Sequence, residues 1–253
     1  YSCLRKIKLS QNKFNLNSIR GYIIPKLNNI KSLESAFDMA ILDWWAQKKE
    51  ITVSNLLNVD RGKLKATSFT IGISNIGEIA QKVEEAKPYK ILKVKLGTKN
   101  SDKDIINEIR RHTDKIIRVD ANEGWSLDNA IKLSYWLADR NVELIEQPFP
   151  ADALQDNLIL KSKSPLDIYA DENSINSQNI DQIKPFFHGI NIKLMKCGSL
   201  FEALKMIKLA KEFKLKIMLG CMVESSVAIT AASQIAKLAD KLDLDGNLLI
   251  KND

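Results

Sequence analysis

Histidine and cysteine, two and three residues, are what this chain has least of. Its three cysteines, Cys3, Cys197 and Cys221, form an odd set with no CxxC spacing. That argues against a zinc site or a disulfide framework and fits a reducing, cytoplasmic setting. The two histidines, His112 and His188, lie far apart and make no HExxH pattern, which excludes the zincin arrangement. No run of about 18 apolar residues occurs, so no segment reads as a membrane span. The opening YSCLRKIKLSQ has no apolar h-region or cleavage pattern; it reads as mid-domain sequence, not as a signal peptide. No Gly/Ser/Pro-rich linker and no low-complexity tract breaks the chain. Positive charge is in excess, +7 from 38 Lys+Arg against 31 Asp+Glu, but it is scattered as single lysines on stretches such as KMIKLAKEFKLK. Without a dense basic block interleaved with aromatics, nucleic acid is not an expected partner.

What remains is an ordinary globular composition over 253 residues, 45% apolar and 27% charged. Residues 11–60 read as helical. Within them SLESAFDMAILDWWAQKK places apolar residues at helical spacing, with Ser32 as the expected N-cap and Ser35 nearby.

From about residue 66 the pattern changes and repeats. Eight β-like runs follow: TSFTIGI, ILKVKLG, KIIRVDA, VELIEQP, LDIYADE, GINIKLM, KIMLGCM and LDLDG, with starts about 22 to 27 residues apart. Amphipathic helical segments such as DKDIINEIRRHT and LFEALKMIKLAKEF lie between them. This alternation predicts parallel βαβ units. A doubly wound sheet is the competing architecture; eight units at a near-constant period favour a closed (β/α)8 barrel.

In such a barrel, chemistry collects at the C-terminal strand ends. Three consecutive runs end in acids there: Asp120 in IRVDANEGW, Glu146 in ELIEQPFP and Asp171 in IYADEN. Each could instead cap the next helix. Three at matching positions would converge on one mouth, where mutual repulsion and partial desolvation are costly. A hard divalent cation such as Mg2+, which takes oxygen ligands, removes that cost.

The lysines inside ILKVKLG follow from strand parity. Leu92, Val94 and Leu96 share the face toward the outer helices, so Ile91, Lys93 and Lys95 point into the barrel. The sixth run repeats the device: Ile192 and Leu194 face outward and Lys193 inward, while Lys196 has the opposite parity and is not expected to reach the cavity. Lys95 and Lys193 would then flank the arc of acids from opposite sides. That arrangement suits removal of a proton beside a carbonyl, the metal acting as Lewis acid. A lysine base working near 7 to 8 instead of about 10.4 needs roughly 4 kcal/mol of help; Lys93 and the metal would disfavour a charged Lys95, the required direction. On the last run Asp243 and Asp245, two apart and on one face, could hold a second metal or a substrate ammonium, or serve only as turn residues before Gly246.

Together these motifs resemble the enolase superfamily, in its muconate-lactonizing subgroup, over nearly the whole chain. KVKLG is similar to the KxK motif whose second lysine is the base, matching Lys95. VDANEGW, IEQPFP and ADEN are similar to the three metal-ligand motifs. NIKLMKCG is similar to the motif whose first lysine, Lys193, is the opposing acid/base. Within the subgroup the chain looks most like the dipeptide epimerases, to whose segments TSFTIGI, GCMVESS and DLDGNLL are also similar. The resemblance implies one Mg2+ per site and two-lysine 1,1-proton transfer, through an enolate, at the α-carbon of a dipeptide's C-terminal residue. It also implies substrate contacts from Asp243, Asp245, Lys93 and Thr70. The fold it implies is a modified (β/α)8 TIM-like barrel over residues 63–253, with residues 1–62 as a partial, mainly helical remnant of an α+β capping domain. On this resemblance, the cap's N-terminal antiparallel sheet and C-terminal return segment are expected to be missing from residues 1–253.

Three positions depart from the family pattern: Glu123 stands for a frequent Gln, Ser199 for a second Gly, and Asn173 for a common Ser. The competing functions keep the barrel and change the chemistry: o-succinylbenzoate synthase, N-succinylamino acid racemase or muconate cycloisomerase. Their substrates carry no free ammonium, which the Asp243–Asp245 pair argues against. Mandelate-racemase-like chemistry lacks its histidine base, since His188 precedes the sixth run and belongs to the opposite face of the barrel. A non-catalytic barrel that only binds a ligand is the reading from another class. A small-molecule partner and a homo-oligomer complete the expectations.

Overall fold

Short runs of aliphatic and β-branched residues pair side by side, all parallel, because each successive run is returned to the same end by a helix. The computed structural model describes residues 7, 15–60, 62–73, 75–98 and 100–253. Cys3, most of the opening stretch and residues 11–14 lie outside them. The strands are β1 Ser68–Ile71, β2 Ile91–Lys95, β3 Ile116–Asp120, β4 Val142–Glu146, β5 Asp167–Ala170, β6 Gly189–Lys193, β7 Lys216–Gly220 and β8 Lys241–Asp243. They form one sheet in chain order. The sheet curls until β8 meets β1, where a single parallel bridge joins Thr67 to Leu242. The barrel is therefore nearly closed, and side chains complete the seam: Leu244 N–H donates to Thr67 Oγ1 and Thr70 N–H to Asp245 Oδ2. The doubly wound alternative is set aside.

The helices are α1 Leu16–Ile23, α2 Lys31–Lys48, α3 Val53–Leu56, α4 Ile79–Glu85, α5 Asp102–His112, α6 Leu127–Ala138, α7 Leu154–Lys163, α8 Ile180–Ile183, α9 Leu194–Cys197, α10 Leu200–Glu212 and α11 Ser226–Ser233. From α4 onward they surround the barrel. Leu92, Val94 and Leu96 are buried among them, each such side chain contributing about 1.5–3 kcal/mol. The inward face differs. Its middle holds a small apolar plug of Leu144, Tyr169 and Met218, and Tyr169 lies so near β6 that a Cβ on Gly189 would stand 2.6 Å from its ring. This plug floors the mouth.

The helices before β1 lean on the β6 side of the barrel. Leu42 of α2 belongs to the same core as the strands. Buried Asp38 of α2 accepts from Leu200 N–H at 2.9 Å, at the start of α10, and from Arg20 Nε at 2.7 Å. Burial outweighs Arg20 and lifts the Asp38 carboxyl above its usual range. Ser32 does not cap α2. The helix already begins at Lys31, Ile30 holds the cap position without a side-chain bond, and Asn28 and Asn29 make the preceding turn with positive φ. Ser32 is thus inside the first turn, which is closed by the Lys31–Glu34 pair at 2.8 Å. Ser199, in contrast, caps α10 by accepting from Glu202 N–H; its φ of −166° is extended backbone that needs no glycine. Among the described residues no helix is long and apolar enough to cross a membrane.

Candidate active site

Register brings the acids together before any side chain moves. Lys95 on β2 lies opposite Asp120 on β3, and Asp120 opposite Glu146 on β4. Asp171 follows the last residue of β5. Asp120 and Glu146 are fully enclosed and Asp171 nearly so. One oxygen from each lies within 4.8 Å of the others, the one such group of His, Cys, Asp or Glu side chains among the described residues. Among the described residues no second cluster of this kind forms around Asp243 and Asp245.

Each acid is held from a different side. Asp120 Oδ1 accepts from Asn122 N–H at 3.1 Å and Oδ2 from Lys95 at 2.7 Å. Glu146 Oε1 accepts from Asn191 Nδ2 at 2.7 Å. Asp171 Oδ2 accepts from Lys193 at 2.7 Å and Oδ1 from Lys196 at 2.5 Å. Glu146 Oε2 is buried with no hydrogen-bond donor, although the Lys93 ammonium pairs with it at 2.7 Å. A buried carboxylate oxygen short of donors, in an all-oxygen set of three acids, fits a hard divalent cation.

The lysines divide as parity predicts, with one exception. Lys93 and Lys193 are buried and point inward, and Lys95 is partly exposed at the rim. Lys196 also reaches the site, hydrogen-bonding both the carboxylate and the backbone carbonyl of Asp171. Parity fails there because β6 stops at Lys193 and the chain turns at once into α9. One helical turn returns Lys196 to the face that a continued strand would have turned away.

Burial and charge set the acidities against one another. Burial, then the charge of Asp120, pushes Glu146 up to about 7 despite Lys93. Asp120 feels the same burial, but Lys93 and Lys95 outweigh it and lower its value. Asp171 falls well below the usual range, because Lys196, Lys193 and Lys93 overcome burial. The lysines move in opposite senses. Burial disfavours the charged form of Lys93, yet Asp120, Asp243 and Glu146 drive it well above the ordinary lysine value. Lys193 likewise rises, burial being outweighed by Asp171 and Glu146. Lys196 falls, mainly through burial. The lowered lysine value that a base requires is therefore absent at Lys193, because its ion pair with Asp171 stabilises the ammonium.

On the seam side, Asp243 Oδ1 accepts from Ser68 Oγ at 2.6 Å and Oδ2 from Lys93 at 2.8 Å. Asp245 sits past the end of β8 and is held by Thr70 N–H at 2.6 Å. Lys93 lowers the Asp243 value against burial; burial and the Asp243 charge raise that of Asp245.

Two residues beyond those expected shape the site. Asn191, inward on β6 beside Lys193, orients Glu146; its parity was readable, but a neutral amide carries no signal of its own. Gln147, fully buried with a φ of 36°, accepts Asp171 N–H at 2.9 Å and donates to Asn173 Oδ1 at 2.7 Å. Asn173 thus fills a bridging place, donating onward to Ala151 O. Glu123 accepts Ala151 N–H at 2.8 Å, so its carboxylate braces a loop. His188 lies at the start of β6, away from the acids, with Nδ1 accepting Ile168 N–H at 3.0 Å. A cavity of about 850 Å³ lies elsewhere, between α2, α3 and α11, and shares none of these residues.

A nearly closed parallel barrel with three ligand-competent acids on successive strands and lysines on either flank defines a class. Residues 76–247 match the family model described as enolase C-terminal domain-like, and the chain belongs to that family. Its relatives narrow the class. The chain is 39% identical to an L-Ala-D/L-Glu epimerase of Bacteroides thetaiotaomicron, over 99% of this chain and 66% of that one. It is 40% identical to a hydrophobic dipeptide epimerase of a Flavobacteria bacterium, over 84% and 63%. The fold matches the dipeptide epimerase of Enterococcus faecalis, solved with Mg and the dipeptide L-Leu-L-Tyr, with a TM-score of 0.88 and 31% identity over 96% of this chain and 72% of that one. The chain spans about two thirds of the length of the two curated relatives.

Proposed function

We propose that the chain is an isomerase, a dipeptide epimerase that binds one Mg2+ through Asp120, Glu146 and Asp171. The observation that carries the reading is the placement of Lys95 and Lys193 on opposite flanks of the three acids. Lys95 bonds the outermost acid on the β3 side and Lys193 the outermost on the β5 side. A group bound between them meets an amine on each face.

A bound Mg2+ would supply Lewis-acid stabilisation of the negative charge that builds on a substrate carboxylate. The chain's own residues do the rest. One lysine, as the free amine, takes the α-proton of the dipeptide's C-terminal residue; the other, as ammonium, returns a proton to the opposite face, and the configuration inverts. Each lysine must first leave its carboxylate, Asp120 for Lys95 and Asp171 for Lys193, before it can face the substrate's α-carbon. The apolar plug of Leu144, Tyr169 and Met218 closes the floor against water. The acidic end of β8 offers a counter-charge to the substrate's free ammonium, with Thr70 fixing the seam. The helices within residues 1–62 form part of the cap, and residues 63–253 the barrel.

Lys95→Ala and Lys193→Ala should each abolish epimerisation, while exchange of the α-proton with solvent deuterium on one face survives in one of them. Normal turnover in both variants would refute the two-base scheme. The competing reading, an N-succinylamino acid racemase or a related cycloisomerase or synthase on the same barrel, predicts indifference to N-acylation of the substrate. The epimerase reading predicts that N-acylation destroys turnover.

A further inference from the structure

Lys196 grips Asp171 twice. Its ammonium donates to the carboxylate, at 2.5 Å to Oδ1, and also to the Asp171 backbone carbonyl. Attraction between opposite charges accounts for the first contact. It does not account for the second, because a carbonyl is neutral. Together they tie the Asp171 side chain to its own backbone and fix the direction of the carboxylate.

The turn that carries Lys196 is itself pinned. α9 ends at Gly198, whose φ is 87°. A Cβ on Gly198 would stand 2.9 Å from Glu34 Oε2 and 3.0 Å from Lys31 Cδ, so the first turn of α2 lies directly against it. Two residues on, Asp38 of α2 takes the Leu200 N–H. β6 holds one end of α9 and α2 the other, so Lys196 does not ride on a loose loop.

Lys193 makes such a grip necessary. Among the described residues the buried Asp171 carboxylate has two hydrogen-bond partners, Lys193 on Oδ2 and Lys196 on Oδ1. When Lys193 turns to the substrate, Oδ2 loses its donor. Without Lys196 a buried charge would then stand unpaired, which is strongly unfavourable, and Lys193 would be held back. With Lys196 in place the charge stays paired. An ionised carboxylate has about four acceptor sites, so room for a cation remains.

We propose that Lys196 is a positioning residue, which clamps Asp171 in its ligand orientation and so frees Lys193 to leave that carboxylate for the substrate. The assignment rests on the reading of one metal at the three acids and of Lys193 as an acid/base.

The first test is a double-mutant cycle on the full chain, read by Mg2+ titration calorimetry with no substrate present. Lys196→Met is compared with Lys193 intact and in a Lys193→Met background, which stands for a Lys193 that has left. The same positive charge is deleted in both, so its direct effect on the cation cancels in the cycle. The loss of Mg2+ affinity should be about tenfold greater in the Lys193→Met background. Equal effects overturn the clamp. Should the double variant not fold, Lys193→Met with Lys196→Arg replaces it, arginine having donors enough for both oxygens. Mg2+ affinity within about threefold of Lys193→Met then supports the clamp, and a loss of about tenfold refutes it. The second test is kinetic, at saturating Mg2+. Lys196→Met should lower kcat for a dipeptide about tenfold with KM changed less than about threefold, and Lys196→Arg should recover most of the loss. An unchanged kcat, or a loss carried by KM, overturns the proposal. Failure of arginine to rescue does so too: arginine can clamp but cannot act as a base, and Lys196 would then be moving protons itself. If the unaltered chain binds no Mg2+, the metal reading falls and this proposal with it. Mg2+ binding without turnover removes only the epimerase reading, and the cycle still decides the clamp.

Discussion

Gly220→Ala, the addition of a single methyl group, should weaken metal binding. Gly220 ends β7 beside β6, in register with Lys193. A Cβ there would stand 2.4 Å from Asn191 Oδ1 and 2.8 Å from Asn191 Nδ2, closer than real Cβ contacts allow. The buried amide must shift, and it is the group that donates to Glu146 Oε1 at 2.7 Å. A hydrogen bond to a charged group contributes about 1.5–3 kcal/mol, and losing a partner that orients a metal ligand typically costs about 10–100-fold in affinity. The two figures agree, because about 1.4 kcal/mol is one factor of ten. Mg2+ titration calorimetry should therefore show a Kd about 10–100-fold weaker in Gly220→Ala. The cost should vanish in an Asn191→Ala background, where the amide that the methyl strikes is gone. A wild-type Kd in Gly220→Ala, or an undiminished loss in the double variant, would refute the claim that Asn191 positions Glu146.

The remaining predictions concern stability. Asp38→Ala removes the acceptor of Leu200 N–H and the partner of Arg20 and should cost about 1–3 kcal/mol in urea unfolding, with α10 losing amide-exchange protection at its first turn; protection unchanged from wild type would contradict the docking described. His188 is held below its ordinary value by burial first, with Lys161 and Lys216 adding to it against Asp167. The unfolded chain therefore binds more protons below about pH 6.5, so this stabilisation is complete above that pH and is lost as pH falls through the lower folded value. His188→Gln should lose less stability than wild type between pH 7 and pH 5; parallel losses would remove His188 as the cause. Glu123→Gln keeps the acceptor for Ala151 N–H and should change stability by less than about 0.5 kcal/mol.

Strand-by-strand reasoning read the barrel well because period-two alternation and strand-end position are local properties. The inward turn of Lys93, Lys95 and Lys193 and the outward turn of Leu92, Val94 and Leu96 needed only the pleat. Lys196 was misread for the same reason: alternation holds only while the strand lasts, and no residue in LMKC announces that α9 begins there. Ser32 was placed as a cap because its side chain suits the role, but the helix start was fixed by the Asn28–Asn29 turn before it. The partition of Asp243 from Asp245 was out of reach, because it depends on how β8 closes on β1 and on a lysine 150 residues away. Asn191 was hidden differently: its direction was legible, but its duty exists only because Glu146 arrives from another strand.

The central claim is proton exchange at one carbon between two lysines with a metal beside them. It is tested most directly by proton NMR of the chain in D2O with Mg2+ and a panel that includes L-Ala-L-Glu and hydrophobic dipeptides. The account predicts that the α-proton signal of the C-terminal residue of at least one dipeptide disappears while the diastereomer's resonances grow in, and that chelating the metal stops both. A panel whose α-protons and diastereomer ratios stay unchanged with Mg2+ present would contradict it.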